Sequence, residues 1–303
     1  MAVISALVPV FLLILLGHGL YRAGFPGEGF WLGAERLTYY VLFPVMLVYT
    51  LGRASFPMAE FALLLPLVLV MLILATGLLL LAWRWCRWPG PVFASVFQGG
   101  IRFNSYLGLA AATSVLGPEG MAVAALAMAV MIPLLNMLCI VMFALVGGKN
   151  GPGVAGVLKA MAANPLILGS LAGVAVSVAP WQLPGLAAGF MAPLSEMALP
   201  LGLMTVGAGL RLSALRQATW PFVWSSSIKL VLYPVLTGGL LWLGGISGML
   251  VTVLVLLAAL PTASSSYILA RQLGGDAPLM AAIISGQTLL AMITLPVILA
   301  LLV

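Results

Sequence analysis

The chain has 303 residues, 64% hydrophobic and 6% charged, with a formal net charge of +6 and a mean hydropathy of +1.25. A water-soluble domain carries about 25% charged residues, so the composition excludes one and puts most of the chain against lipid or other apolar helices. The positive balance reads as Lys and Arg kept on the cytoplasmic side of a bilayer, not as a nucleic-acid surface.

A helix that crosses a bilayer needs about 20 apolar residues. Ten spans are predicted, at 3–21, 36–52, 60–82, 91–116, 120–146, 164–180, 193–210, 220–243, 247–270 and 278–302. Ahead of the first, Met1-Ala2-Val3-Ile4-Ser5 holds no basic region, so a cleaved signal peptide is not expected. Span one has His18 near its cytoplasmic end, an interfacial position. Span two carries Pro44 and ends near Arg53. Span four reads Gln98-Gly99-Gly100-Ile101-Arg102-Phe103-Asn104-Ser105-Tyr106-Leu107-Gly108, and span five carries Pro133 and Asn136. A Gly-rich, Pro-containing connection at 147–163 separates two halves of five spans each. Span seven holds Glu196 and Pro200 and ends near Arg211, and span eight has Lys229 after Ser225-Ser226-Ser227. Span nine reads Leu260-Pro261-Thr262-Ala263-Ser264-Ser265-Ser266-Tyr267, and span ten carries Gln287 and Pro296.

The halves look like copies. Asn104-Ser105-Tyr106-Leu107 with Leu116-Gly117-Pro118-Glu119 matches Ser265-Ser266-Tyr267-Ile268 with Leu273-Gly274-Gly275-Asp276. An odd number of spans per copy inverts the second relative to the first. The predicted fold is therefore an all-α membrane protein of ten transmembrane helices in two inverted five-helix repeats, 1–146 and 164–303, joined by a cytoplasmic linker at 147–163. Arg22, Arg36, Arg84, Arg87, Lys149, Lys159, Arg211, Arg216 and Arg271 fall on one side and Arg53 on the other. The bias puts the first set in the cytoplasm and both termini on the extracytoplasmic side.

Paired, interrupted spans at matching positions are the sequence mark of a carrier's binding site. Gly99 and Gly100 permit unwinding, and Asn104 and Ser105 suit the N-cap of a restarted helix. Pro261 breaks span nine, and the hydroxyls of Ser264, Ser265 and Ser266 are expected to cap its restart. Two half-helix N-termini, each with about half a positive charge, then point at one place. Arg102 adds a full charge and a fork suited to a carboxylate, unless it snorkels to the interface. Substrate-binding candidates are thus Arg102, Asn104, Ser105, Pro261, Ser264, Ser265 and Ser266. Lys229 either counters substrate charge, pairs with Glu196 or reaches an interface. Glu196 either binds a coupling cation or is an interfacial carboxylate. Asn136 and Gln287 either face the breaks or bond helix to helix. Cys86 and Cys139 have no metal or redox spacing, and one histidine leaves no catalytic triad or metal cluster. Neither an enzyme nor a cofactor is expected.

The chain resembles the auxin efflux carrier family of membrane transporters. The likeness rests on Pro9-Val10-Phe11-Leu12-Leu13-Ile14-Leu15-Leu16-Gly17, Tyr40-Val41-Leu42-Phe43-Pro44, Asn164-Pro165-Leu166-Ile167, Pro261-Thr262-Ala263 and Tyr267-Ile268-Leu269-Ala270-Arg271-Gln272. The stretch 98–108 is most similar to the bacterial branch of malonate carriers. The resemblance implies that spans four and nine cross at their breaks, within a transport domain of spans three to five and eight to ten. It implies a scaffold of spans one, two, six and seven, often dimeric, and elevator-type movement between the two. Family members often have a proline soon after the break in span four; here Ala110 follows Leu109, leaving Gly99, Gly100 and Asn104 to open it.

The expected function is secondary transport of small organic anions, carboxylates such as malonate or another dicarboxylate, across a bacterial inner membrane. The expected partners are the substrate, the lipid bilayer, a second copy of the chain and a coupling ion, H+ or Na+. Two alternatives stand beside it. A cation/proton antiporter of inverted-repeat architecture needs carboxylates at the crossing helices, and spans four and nine have none. A membrane ligand sensor without transport needs a signalling domain, and the chain shows none.

Overall fold

The computed structural model describes residues 2–53, 58–146, 162–179, 184–217 and 220–302, and its regular elements there are all helical. Most of the predicted linker at 147–163, with Lys149 and Lys159, lies outside the described residues. The first helix is α1 (Ala2–Arg22). Next, α2 (Glu28–Leu37) passes through a π-helical turn, Thr38–Leu42, into α3 (Phe43–Leu51). Then come α4 (Met58–Cys86), α5 (Gly90–Ile101) and α6 (Ser105–Val146). After the undescribed stretch follow α7 (Pro165–Val178) and α8 (Gly185–Ala208). A 3-10 turn, Leu212–Gln217, precedes α9 (Trp220–Ser227), which runs through a second π turn, Ile228–Leu232, into α10 (Tyr233–Leu243). The chain ends with α11 (Met249–Ala259), α12 (Ser265–Leu273) and α13 (Ala277–Leu302).

Six stretches among the described residues are long and apolar enough to cross a membrane, and Pro165–Val178 and Met249–Ala259 are shorter apolar helices. Leucines such as Leu12, Leu69, Leu171 and Leu240 are exposed. Such a surface is stable only in lipid, and the chain is a multi-pass membrane protein. Several boundaries differ from expectation. Over the second predicted span the helix starts at Glu28 instead of 36, just past Pro26 and Gly27 and regardless of the polar residues that follow. The seventh starts at Gly185 and runs through Pro193, where the sequence suggested a start. Membrane helices tolerate such prolines because neighbouring groups satisfy the freed carbonyl. Helix α6 is two helices that meet at Gly117, between the predicted fourth and fifth spans: its φ of 72° and ψ of −166° are not helical and favour glycine, and Pro118 opens the second helix.

Two groups of helices pack among themselves. In one, α1 lies against α8, and α3 against α7 and α8. The approach of α1 and α8 rests on glycines: a Cβ on Gly207 would run into the Ile14 carbonyl, and one on Gly17 into the Met204 carbonyl. Both obstacles are backbone, so nothing can rotate aside. Gly207→Val is expected to cost about 1–3 kcal/mol or more through overpacking. The check is the monodisperse fraction and melting temperature in detergent, against Gly189→Val, whose added Cβ meets nothing.

In the other group α6, α9, α10 and α13 surround two short helices, α5 and α11. From Val253 to Leu260 every side chain is fully buried. A helix hydrophobic all round belongs in the middle of a bundle, and α11 and α5 occupy that position.

Candidate binding site at two helix breaks

Helix α5 stops at Ile101, and α6 begins at Ser105. Between them Arg102 is extended, with φ −74° and ψ 160°. Asn104 restarts the helix: its Oδ1 accepts the backbone N–H of Tyr106 at 3.0 Å and of Leu107 at 3.2 Å. Two of the four orphan donors of the new helix are thereby satisfied. The glycines do not unwind. Gly99 and Gly100 lie inside α5, and a Cβ on either would collide with Ser225 and Ile283 or with Leu79. Their role is close packing.

Helix α11 stops at Ala259, and α12 begins at Ser265. Leu260 is extended, with φ −67° and ψ 146°, as a residue before proline must be. Here the expected serine cap is absent. Ser264 has helical backbone angles and makes no side-chain cap bond. Ser266 is buried with its Oγ 3.4 Å from Thr262 Oγ1.

The breaks meet. The Asn104 N–H donates to the Pro261 carbonyl at 2.8 Å. Gln287 of α13 joins both: its Oε1 accepts the Thr262 N–H at 2.9 Å and its Nε2 donates to the Gly99 carbonyl at 3.0 Å. Thr262 Oγ1 donates to the Gln98 carbonyl at 3.4 Å. Broken helices thus satisfy their backbone groups on one another, as apolar surroundings require.

Beside this meeting lies a cavity of about 170 Å³. Arg102 reaches into it, donating from Nη2 to Ser265 Oγ at 3.1 Å and from Nη1 to Gln98 Oε1 at 3.4 Å. Both acceptors are neutral, so the guanidinium keeps its full charge for an anion. Asn104, Ser105, Ser264, Ser265 and Asn136 also line the cavity, and the first turns of α6 and α12 therefore abut it. Pro261 and Ser266 contribute through the breaks and do not line it.

Lys229, Gln287 and Glu196 lie elsewhere. Lys229 is fully buried in the second π turn, its Nζ 3.5 Å from the Leu257 carbonyl and 5.0 Å from the Tyr233 ring centroid. It serves a last-turn carbonyl of α11, which has no intrahelical donor. Pairing with Glu196 does not occur, since Glu196 is exposed on α8. Among the described residues no cluster of His, Cys, Asp or Glu could hold a metal.

Four polar lining residues were missed in the sequence: Glu35 at the end of α2, Tyr39 in the first π turn, Tyr106 in the first turn of α6, and Asn164. Asn164 caps α7, accepting the Leu166 N–H at 2.9 Å and the Ile167 N–H at 3.4 Å. An Asn directly before Pro at a helix start was a readable sign. Glu35 escaped because the predicted span began one residue later.

A family model described as "Membrane transport protein" matches residues 154–299. A protein of Rhizobium meliloti (strain 1021) named "Putative malonate transporter" is 30% identical over 299 residues, covering 90% of this chain and 88% of that protein. The chain belongs to the membrane transport protein family. This is the auxin efflux carrier family that the sequence resembles. An "Uncharacterized transporter" of Methanothermobacter thermautotrophicus is 24% identical over 302 residues, covering 96% of each chain. Membership makes this membrane transport protein a transporter and not an enzyme.

Proposed function

We propose that this membrane transport protein is a secondary transporter of small organic anions, with malonate or another small dicarboxylate as substrate. One observation carries the reading: Arg102, paired only with neutral groups, stands in a small cavity where two helix N-termini converge. The relative named for malonate is in keeping with it. In this reading ten helices cross the membrane as two inverted repeats, 1–146 and 164–303, joined by 147–163. Support comes from the breaks falling after Ile101 and after Ala259 and from the matching Ser105-Tyr106 and Ser266-Tyr267.

The cavity lies between the two packing groups: Glu35, Tyr39 and Asn164 belong to one, Arg102 and Ser265 to the other. A rigid movement of the second group against the first carries the substrate across, as an elevator does. Both termini are extracytoplasmic in a bacterial inner membrane, and the cavity, beside Arg36 and Asn164, opens to the cytoplasm. A homodimer forms through α1, α3, α7 and α8, and H+ or Na+ is the coupling ion. The antiporter alternative has Glu35 in its favour, but Arg102 in the same cavity repels a cation.

Thermal unfolding of the purified protein against mono- and dicarboxylates, with and without sodium, tests this. A small carboxylate is expected to raise stability by about 2.7 kcal/mol at a hundredfold excess over its Kd. Stabilisation by sodium alone, with none by any carboxylate, overturns the reading.

A further inference from the structure

Among the described residues the cavity has one cation and one carboxylate, Arg102 and Glu35, as its formally charged lining, and no ion pair joins them. Glu35 has no hydrogen-bond or ion-pair partner among the described residues. The two come from different packing groups, Glu35 from the end of α2 and Arg102 from the break after α5. A carboxylate left without a partner beside a site for anions is otherwise a liability, because it repels the ligand that Arg102 attracts.

We infer that Glu35 reads the charge at the far end of the substrate, so that the site takes a monoanion with a hydrogen-bond donor at its distal end: a half-protonated dicarboxylate before a dianion. The inference rests on the carboxylate-carrier reading above and deepens it. One carboxylate of the substrate lies on Arg102. Its second carboxyl keeps its proton and donates it to Glu35, so two carboxyl groups share one proton where two negative charges would repel. A dicarboxylate then enters with its own proton, and each substrate moves one net negative charge and one proton together. No bond other than this hydrogen bond forms or breaks.

The groups facing Glu35 are few. Tyr39 stands one turn on along its own helix, and Arg102 and Tyr106 line the cavity on the other packing group. Helix α8, which packs on α2, carries a single ionisable side chain, the exposed Glu196. Glu35 is itself exposed at the cavity, so solvent screens the repulsion and the expected effect is modest.

Binding of malonate is compared with binding of its monoamide, malonamate, which stays a monoanion, at a pH above malonate's second ionisation. The full chain is used, in detergent, as wild type, Glu35→Gln and Glu35→Asp. The wild type is expected to bind malonamate at least as tightly as malonate. Glu35→Gln is expected to raise the malonate-to-malonamate affinity ratio about three- to tenfold, the scale of a screened like-charge contact. Glu35→Asp, which keeps the charge, should retain the wild-type preference. A wild type that clearly prefers the dianion, or a ratio unchanged in Glu35→Gln, overturns the inference while leaving the carboxylate carrier standing. If neither compound nor any other carboxylate binds the wild type, the carrier reading falls, and this inference with it. The wild-type comparison needs no variant, so a poorly folding Glu35→Gln does not remove the test.

Discussion

Arg102→Ala is expected to bind its carboxylate about ten- to a hundredfold more weakly than the wild type, with folding largely intact. A charge-assisted hydrogen bond contributes about 1.5–3 kcal/mol, and about 1.4 kcal/mol is tenfold in affinity. Folding survives because the present partners, Gln98 Oε1 and Ser265 Oγ, are neutral and stand beside a cavity that can admit water. Arg102→Lys should recover part of the loss, since the charge remains while the bidentate fork does not. Ligand-induced thermal shifts on monodisperse protein give both numbers. Normal binding and transport by Arg102→Ala would make Arg102 a bystander and leave the site to the two helix N-termini.

Gln287→Leu should act on stability instead of affinity. The side chain is fully buried, and its amide bonds to both breaks. Leucine fills similar space but leaves the Thr262 N–H and the Gly99 carbonyl without that partner. Each orphaned group costs about 1–3 kcal/mol, so the loss is roughly 2–6 kcal/mol, large against the usual margin of folded proteins. Gln287→Glu separates the halves of the effect: it still accepts from Thr262 but turns an oxygen towards the Gly99 carbonyl. Melting followed by tryptophan fluorescence should therefore rank wild type above both variants. An unchanged midpoint in Gln287→Leu would mean that water replaces the amide and that the breaks are wet.

Much of the architecture was readable because lipid leaves the chain few choices. Apolar stretches of membrane length announce helices, and Pro261 and Asn104 mark where helix stops and starts, one by lacking a donor and the other by capping. What misled was local chemistry with two uses. Gly99 and Gly100 suit both an unwound strand and a tight helix contact, and only the presence of Ser225, Ile283 and Leu79 decides for the contact. Ser264 is a good cap by type, but its helical backbone angles take that role away. Glu35, Tyr39 and Asn164 join Arg102 at one cavity by packing between helices far apart in sequence, which no periodicity within a span encodes. Lys229 was open among three roles because its partner, the Leu257 carbonyl, is backbone and leaves no mark in composition.

The bond from the Asn104 N–H to the Pro261 carbonyl has a consequence for how the protein is made. The first half of the chain enters the bilayer with a donor that nothing in that half satisfies, and its acceptor arrives only after most of the second half has been synthesised. Until then the early helices must keep water, lipid headgroups or an insertion factor at the gap. Neither half is a finished module, and a chain stopped before Pro261 exposes the defect by which a quality-control protease could recognise it.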